Sequence, residues 1–293
     1  MRKVTAVLLL LIAMAACSWC LADEPYFVQQ ERAIRQEMAA QGKRYVRVMD
    51  SLSAAGIDMS TDPACLVVQD PDGVELLRLA IPFLTGEDVA FDGMVDCAED
   101  DSGGYFVLLS LNETTDAPLM GLYHLSGEGR CLMSCILEER APWGWSCLAG
   151  DKEGGAFLVH AGDDDYREAV IRHVSGEGRI EWQKRMAIDG LVFSLYDLEA
   201  GESGITIFGT AVSASKGVYL VTEVQLDGAG DVTEARAWDY KAVSRDRYAG
   251  ILKDRAAGMR YLYVQSAQYY ALEELPECDA PSVTISIAGT DVH

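Results

Sequence analysis

The segment LYHLSGEGR at residues 122–130 recurs as IRHVSGEGR at residues 171–179, and a looser version, VTEVQLDGAG, stands at residues 221–230. In each, an alternating apolar run leads into a short turn that contains two glycines. The run is typical of a β-strand, and the turn is typical of a hairpin. The last turn glycines, Gly129, Gly178 and Gly230, are separated by 49 and 52 residues. The hairpin therefore repeats about every fifty residues.

A second glycine marker keeps the same period. It reads GGYFV at 103–107, GGAFL at 154–158, GITIF at 204–208 and GMRYL at 258–262. Each repeat holds four strand-length runs, as at 91–98, 104–111, 118–125 and 130–137. Four antiparallel strands in about fifty residues are typical of a β-propeller blade.

The hairpin that runs from Val174 to Trp182 resembles the repeat of bacterial exported β-propeller proteins, and the resemblance covers roughly residues 64–290. It implies an all-β, propeller-like fold of four or five four-stranded blades, and it implies nothing about activity. Two repeats depart from the pattern: Trp238 lies further from its turn, and LEELP at 272–276 replaces the last hairpin. The alternative is a β-sandwich with duplicated hairpins.

The N-terminus predicts export. Arg2 and Lys3 precede an apolar run at 4–16, which is too short to span a bilayer and typical of a secretory signal. We expect a signal peptide at 1–22, cleaved after Ala22. Cleavage before Cys17 would instead give a lipid-anchored lipoprotein, and an uncleaved anchor is the third alternative. The expected location is extracytoplasmic, secreted or at the cell surface.

An N-terminal helical segment is expected at 23–60, followed by the propeller-like domain at 61–293. A short amphipathic helix is predicted from Asp23 to the stop at Gly42, with Pro25 in its first turn. Its apolar face consists of Phe27, Ile34 and Met38. Residues 43–57 fit a helix and a strand equally well.

The charge of the chain is strongly negative. It has 24 basic and 46 acidic residues and a formal net charge of −22. Residues 23–50 contain five bases and five acids, so the excess acid lies beyond them. This charge repels nucleic acids and anionic membranes. We expect no nucleic-acid partner, and membrane contact only through a lipid anchor at Cys17.

Six cysteines follow Ala22, and the sequence leaves open whether they form disulfides or are buried thiols. Cys131 and Cys135 lie in one predicted strand, about 13 Å apart, which is too far for a bond between them. Cys97 and Cys147 precede their Gly-Gly markers by nearly the same count. We therefore expect them at equivalent positions, as buried thiols.

The sequence holds no specific motif for catalysis, metal binding or cofactor binding. The Gly-x-Gly turns lack the third glycine and the helix of a dinucleotide site, and the chain has no nucleophile elbow and no zinc-protease motif. His124 and His173 occupy equivalent repeat positions, which duplication explains better than a shared metal ion. We expect no catalytic residues, no metal and no cofactor.

The candidate ligand site combines aromatic and acidic side chains. Trp143 and Trp145 lie in the 138–145 connection between blades. Aromatic side chains in such a connection are less readily buried in the core than those in the middle of a strand. In a four-stranded meander this connection shares an end with the following loop, which carries Asp163, Asp164, Asp165 and Tyr166. Aromatics beside carboxylates suit a sugar or a basic peptide.

The function predicted from these features is an exported, non-catalytic binding or scaffold protein that contacts a glycan, peptide or protein partner. The alternative is a glycosidase-like propeller enzyme, which needs two carboxylates about 5–10 Å apart and a raised pKa on one. A third possibility is a subunit whose N-terminal helix docks on a partner.

Overall fold

The structure is a computed structural model. It describes residues 46–47, 54–58, 60–69, 74–81, 90–100, 102–112, 119–137, 146–162, 165–188, 190–213, 215–240, 249–254, 259–264, 268–275 and 285–290. No helix among them is long and apolar enough to cross a membrane.

The described residues form twenty strands and one 3-10 turn. In chain order the strands are β1 Val46–Arg47, β2 Ala54–Asp58, β3 Cys65–Gln69, β4 Glu75–Ala80, β5 Ala90–Glu99, β6 Tyr105–Asn112, β7 Leu119–Leu125, β8 Cys131–Leu137, β9 Ser146–Gly150, β10 Ala156–Ala161, β11 Glu168–Val174, β12 Ile180–Ile188, β13 Val192–Ala200, β14 Gly204–Ser213, β15 Val218–Asp227, β16 Val232–Asp239, β17 Ala249–Asp254, β18 Met259–Val264, β19 Gln268–Ala271 and β20 Ile285–Thr290. The 3-10 turn is η1, Leu272–Glu274.

These strands build five antiparallel sheets, which are the blades of a five-bladed β-propeller. Blades 1, 2 and 4 are four-stranded meanders, β1–β4, β5–β8 and β13–β16, and blade 5 holds β17–β19. The first strand of one blade contacts the first strand of the next, β5 with β9, β9 with β13 and β13 with β17. The prediction of an all-β propeller is confirmed, the blade number is five, and the β-sandwich alternative is excluded.

Blade 3 carries a strand that the repeat did not predict. Its sheet order is β20-β12-β11-β10-β9, so the C-terminal strand β20 adds to the outer edge of a blade whose other strands end at Ile188. Ile285 and Ile287 pack on the core between blades 3 and 4.

Strands β1 and β2 lie inside the segment expected to be helical. They pair with each other and with β3, so they belong to blade 1. Because Ala54–Asp58 contains few large apolar residues, its strand character depends on pairing with the buried run Cys65–Gln69, which local pattern does not show.

The core lies between neighbouring blades. Blades 2, 3 and 4 are each sandwiched between two others, so both faces of their middle strands are buried. In β6, every residue from Tyr105 to Leu111 is buried. Alternate residues of one strand serve different interfaces: Val107 faces blade 1, whereas Phe106 and Leu108 face blade 3. This explains the near-continuous apolar runs of the sequence.

The outer hairpins follow one design, as the repeat predicted. Gly129, Gly178 and Gly230 have φ of 80°, 79° and 76°, the left-handed region that favours glycine. In each hairpin, a main-chain N–H donates across the turn, from Ser126 to Arg130, from Ser175 to Arg179 and from Asp227 to Asp231. Each turn leans on the preceding blade: a Cβ on Gly178 would lie 2.4 Å from the Ser134 carbonyl oxygen.

Candidate functional site

The candidate site lies at the end of blade 3 where β9 begins. Ser146, the first residue of β9, pairs with His160 near the end of β10. The strand ends that flank the 138–145 connection and the β10–β11 loop therefore lie together. Trp143, Trp145, Asp163 and Asp164 lie outside the described residues, so their role stays a prediction.

Asp165 and Tyr166 are described, and the loop that carries them is fixed to the next blade. Tyr166 has φ of 55°, a left-handed conformation that costs a non-glycine residue about 1–2 kcal/mol. Its carbonyl accepts a hydrogen bond of 2.7 Å from the Phe193 N–H at the start of β13. Tyr166 is half-buried and Asp165 is exposed. The loop thus presents a carboxylate to solvent at the end where β9 and β13 begin.

A buried polar chain lies just below this end, at the interface with blade 2. His160 is 1% exposed and Arg172 is 2% exposed. The ring nitrogens of His160 lie 2.7 Å from the Ala161 carbonyl oxygen (Nδ1) and 2.6 Å from Arg172 Nη1 (Nε2), and Arg172 Nε donates to Gln183 Oε1 at 2.6 Å. Because an arginine only donates, Nε2 must accept, and Nδ1 carries the proton. The chain is a neutral histidine beside a buried cation.

Ser146 shares the sheet face of His160, directly across the strand pair. Its hydroxyl is the one buried side-chain oxygen or nitrogen of the described part that has no hydrogen-bond partner. Leaving such a group unsatisfied costs about 1–3 kcal/mol. Sequence reasoning missed Ser146, His160 and Arg172. The available signal was a histidine inside the wholly buried run AFLVHA, residues 156–161.

The repeated histidines are structural and act within their own blades. Nε2 of His124 lies 2.5 Å from Asp100 Oδ2, and Nε2 of His173 lies 2.6 Å from Asp151 Oδ2. A phenylalanine ring stacks on each imidazole, Phe106 at 4.1 Å and its counterpart in blade 3 at 4.4 Å between centroids. Among the described residues, no group of three or more His, Cys, Asp or Glu side chains is placed to hold a metal ion.

Each of these aspartates also closes a turn. Asp100 Oδ1 accepts the main-chain N–H groups of Ser102 and Gly104 at 2.8 and 2.5 Å. Burial raises the pKa of Asp100, but the hydrogen bonds from His124, Gly104 and Ser102 outweigh it and hold that pKa below its usual 3.8. Asp151 makes the same turn bonds in blade 3. We call each set of aspartate, histidine and phenylalanine an Asp-His lock.

Two carboxylates lie close together at the interface between blades 4 and 5. Asp197 and Glu199 both bind Arg260, whose guanidinium lies 3.5 Å above the Phe208 ring. One cation thus bridges two carboxylates, which leaves a net charge of −1 and ties blade 4 to blade 5. The pKa shifts found for described carboxyl groups, those of Asp58 and Asp100, are both downward.

The expected equivalence of Cys97 and Cys147 is wrong by one residue. Asp100 and Asp151 mark the same turn, and Cys97 stands three residues before its aspartate whereas Cys147 stands four before. Leu148 is the equivalent of Cys97, and the two cysteines fall on opposite sheet faces. Cys97 is 3% exposed, and Cys147 is half-buried. The five described cysteines form no disulfide.

Comparison with known proteins adds little beyond the fold. No family model and no curated protein matches the chain. Among solved structures, a GH43 endo-arabinanase from Bacillus licheniformis is 12% identical with a TM-score of 0.35, over 81% of this chain and 89% of that one. A member of the DUF4221 family from Bacteroides vulgatus is 8% identical with a TM-score of 0.27, over 85% and 93%. Neither likeness carries an argument about function.

Proposed function

We propose that this chain is an exported, non-catalytic binding protein that contacts a glycan or a basic peptide through the end of blade 3 where β9 begins. The observation that carries the proposal is the Asp165–Tyr166 loop, which is fixed to β13 through a strained tyrosine while its carboxylate stays exposed. A loop held in this way is preorganised, and preorganisation lowers the entropic cost of binding.

The two ligand classes use this end differently. A sugar stacks its apolar ring face on an aromatic side chain and donates its hydroxyl hydrogens to a carboxylate. A basic peptide is held by charge and by cation–π contact. Trp143 and Trp145 supply the aromatic surface in both cases, and Asp165 supplies the carboxylate. Export is part of the proposal, and its support is the N-terminal sequence alone.

The test is binding to a panel of glycans and basic peptides by the wild type and by Trp143→Ala/Trp145→Ala. We expect the double variant to stay folded and to lose binding about five- to 150-fold, since two aromatic contacts of about 0.5–1.5 kcal/mol each are removed. A folded double variant that keeps every wild-type interaction would show that the proposal is wrong.

A matched pair of acidic substitutions separates the ligand classes. Asp165→Asn removes the exposed carboxylate of the candidate site, whereas Glu153→Gln removes an exposed one in the β9–β10 turn, at the opposite end of blade 3. Asp165→Asn should weaken binding about two- to fivefold, and Glu153→Gln should not. Raising the salt from about 0.1 to 1 M should abolish the Asp165 effect for a peptide and preserve it for a glycan.

A further inference from the structure

Blade 2 has an exposed apolar stripe on its outer strand. Leu132, Ser134 and Ile136 of β8 point to the same side of the sheet, and we call them the β8 stripe. Leu132 is 55% exposed and Ile136 is 49% exposed. The intervening residues Met133 and Cys135 are buried against blade 3. The exposure is therefore confined to one face of the strand.

The repeat shows that this stripe is unusual. In β8 and β12 the strand register shifts at the same place after the turn glycine, which aligns the two strands residue by residue. At the three positions of the β8 stripe, blade 3 carries Glu181, Gln183 and Arg185. The same alignment through the third hairpin gives blade 4 the residues Thr233, Ala235 and Ala237. Only blade 2 of these three carries large apolar side chains there.

The β8 stripe also extends an existing core. On this face of blade 2, Val107, Leu109 and Tyr123 pack against Leu66 and Leu79 of blade 1. Tyr123 pairs directly with Ser134 of the stripe. The core between blades 1 and 2 thus includes residues of β7 but none of the outermost strand, β8. An additional apolar element laid on β8 would continue it.

We infer that the N-terminal segment 23–42 docks on the β8 stripe as an amphipathic helix. The sequence predicts a helix there whose apolar face consists of Phe27, Ile34 and Met38. The described chain begins at Val46 in blade 1, and β1 and β2 both contact β5 of blade 2. The segment therefore joins the fold beside β5, the inner strand of the blade whose outer strand carries the stripe.

Length and charge agree with this occupant. Strand β8 lies three strands out from β5, about 15 Å at the usual strand spacing. A helix over 24–41 is about 27 Å long, enough to reach across that distance. Residues 23–42 carry two bases and four acids, a net charge of −2, whereas the whole chain has a net charge of −22. A second copy of this acidic chain would be repelled far more strongly than this segment.

Cys131 provides a native probe, because it is an exposed thiol next to Leu132. The full chain is labelled with a benzophenone maleimide and irradiated, and the products of Cys131 are mapped by mass spectrometry. We expect cross-links to residues 23–42 of the same chain. A cross-linked dimer would show that a second copy covers the stripe. An absence of cross-links both to residues 23–42 and to a second copy would show that the stripe is uncovered. Either result would overturn the inference.

Substitution with the protein's own blade 3 residues gives the second test. Leu132→Glu/Ile136→Arg places on β8 the side chains that the equivalent positions of β12 already hold, so the sheet should remain folded. Tryptic cleavage after Arg32 and Arg35 should accelerate at least about tenfold in this variant, because the segment opens more often. Leu76→Glu is the matched control, since Leu76 follows the same register shift in blade 1 and is 51% exposed.

The control should leave the cleavage rate at the wild-type value. Wild-type protein cleaved as fast as Leu132→Glu/Ile136→Arg, with the propeller shown intact by circular dichroism, would refute docking. A wild-type dimer in light scattering that becomes a monomer in this variant would also refute it, in favour of self-association.

Discussion

Replacing Asp100 by alanine should destabilise the protein severely, because one carboxylate satisfies several buried groups. Its Oδ2 lies 2.5 Å from His124 Nε2, and both side chains are 8% exposed. Its Oδ1 accepts the main-chain N–H groups of Ser102 and Gly104. Asp100→Ala leaves the imidazole and the Gly104 N–H without this acceptor, in a place that water reaches poorly.

The magnitude follows from the cost of breaking a buried pair. Removing one partner of such a pair costs about 3–5 kcal/mol, against a total stability of about 5–15 kcal/mol for a typical domain. Asp100→Asn should cost about 1–2 kcal/mol, since its amide oxygen still closes the turn. Asp151→Ala in blade 3 should cost less than Asp100→Ala, because Asp151 and His173 are 12% and 15% exposed.

The measurement is urea unfolding of the wild type and the three variants at neutral pH. The same unfolding measurements repeated at acidic pH give a second readout. The pKa of folded Asp100 lies below 3.8, so its ionic contribution to the free energy of unfolding is complete above about pH 4 and is lost as the pH falls through the lower folded value. The difference between wild type and Asp100→Asn should shrink over that range. A loss below about 1 kcal/mol for Asp100→Ala would refute the assignment of the lock as a stabilising unit.

Two further predictions concern turns and thiols. Gly154→Ala should lower the free energy of unfolding by about 1 kcal/mol, because only its left-handed backbone is strained. Gly178→Ala should lower it by about 2–4 kcal/mol, because its Cβ would also meet the Ser134 carbonyl. Equal losses in the two variants would contradict the close approach. In the native protein, Cys131 should react with a maleimide within minutes, whereas Cys97 should react only on unfolding, since burial raises its pKa well above the usual value and excludes reagent. Equal labelling of both, measured by mass spectrometry, would exclude the described burial of Cys97.

The blade repeat was predictable because its determinants are local. Gly129, Gly178 and Gly230 each need a left-handed turn, and a left-handed turn flanked by alternating apolar residues specifies a hairpin without reference to the rest of the chain. Strand β20 was not predictable. Its sequence, ISIAGT, is typical of a strand, but no local feature of that sequence indicates that it pairs with β12 of blade 3.

The polar groups of the candidate site were not predicted from the sequence, for a related reason. His160 and Arg172 lie on adjacent strands, and their contact depends on the register of β10 against β11. Ser146 joins them only through the pairing of β9 with β10. A shift of one residue in register moves a side chain to the other face of the sheet, as the separation of Cys97 and Cys147 shows. Spacing alone therefore finds repeats more reliably than it finds sites.

The fourth blade shows how the Asp-His lock is lost. The strand register places Thr206 and Gln225 where blade 3 has Phe157 and His173. The turn hydrogen bond places Gly201 where blade 3 has its aspartate. The turn itself is one residue shorter there, closing from Gly201 to Gly204. All three members are absent together. A histidine that loses its aspartate is left with one unsatisfied ring nitrogen, and an aspartate that loses its histidine keeps only its turn hydrogen bonds. Because an unsatisfied buried group costs about 1–3 kcal/mol, the loss of one member of the lock lowers the cost of losing the others.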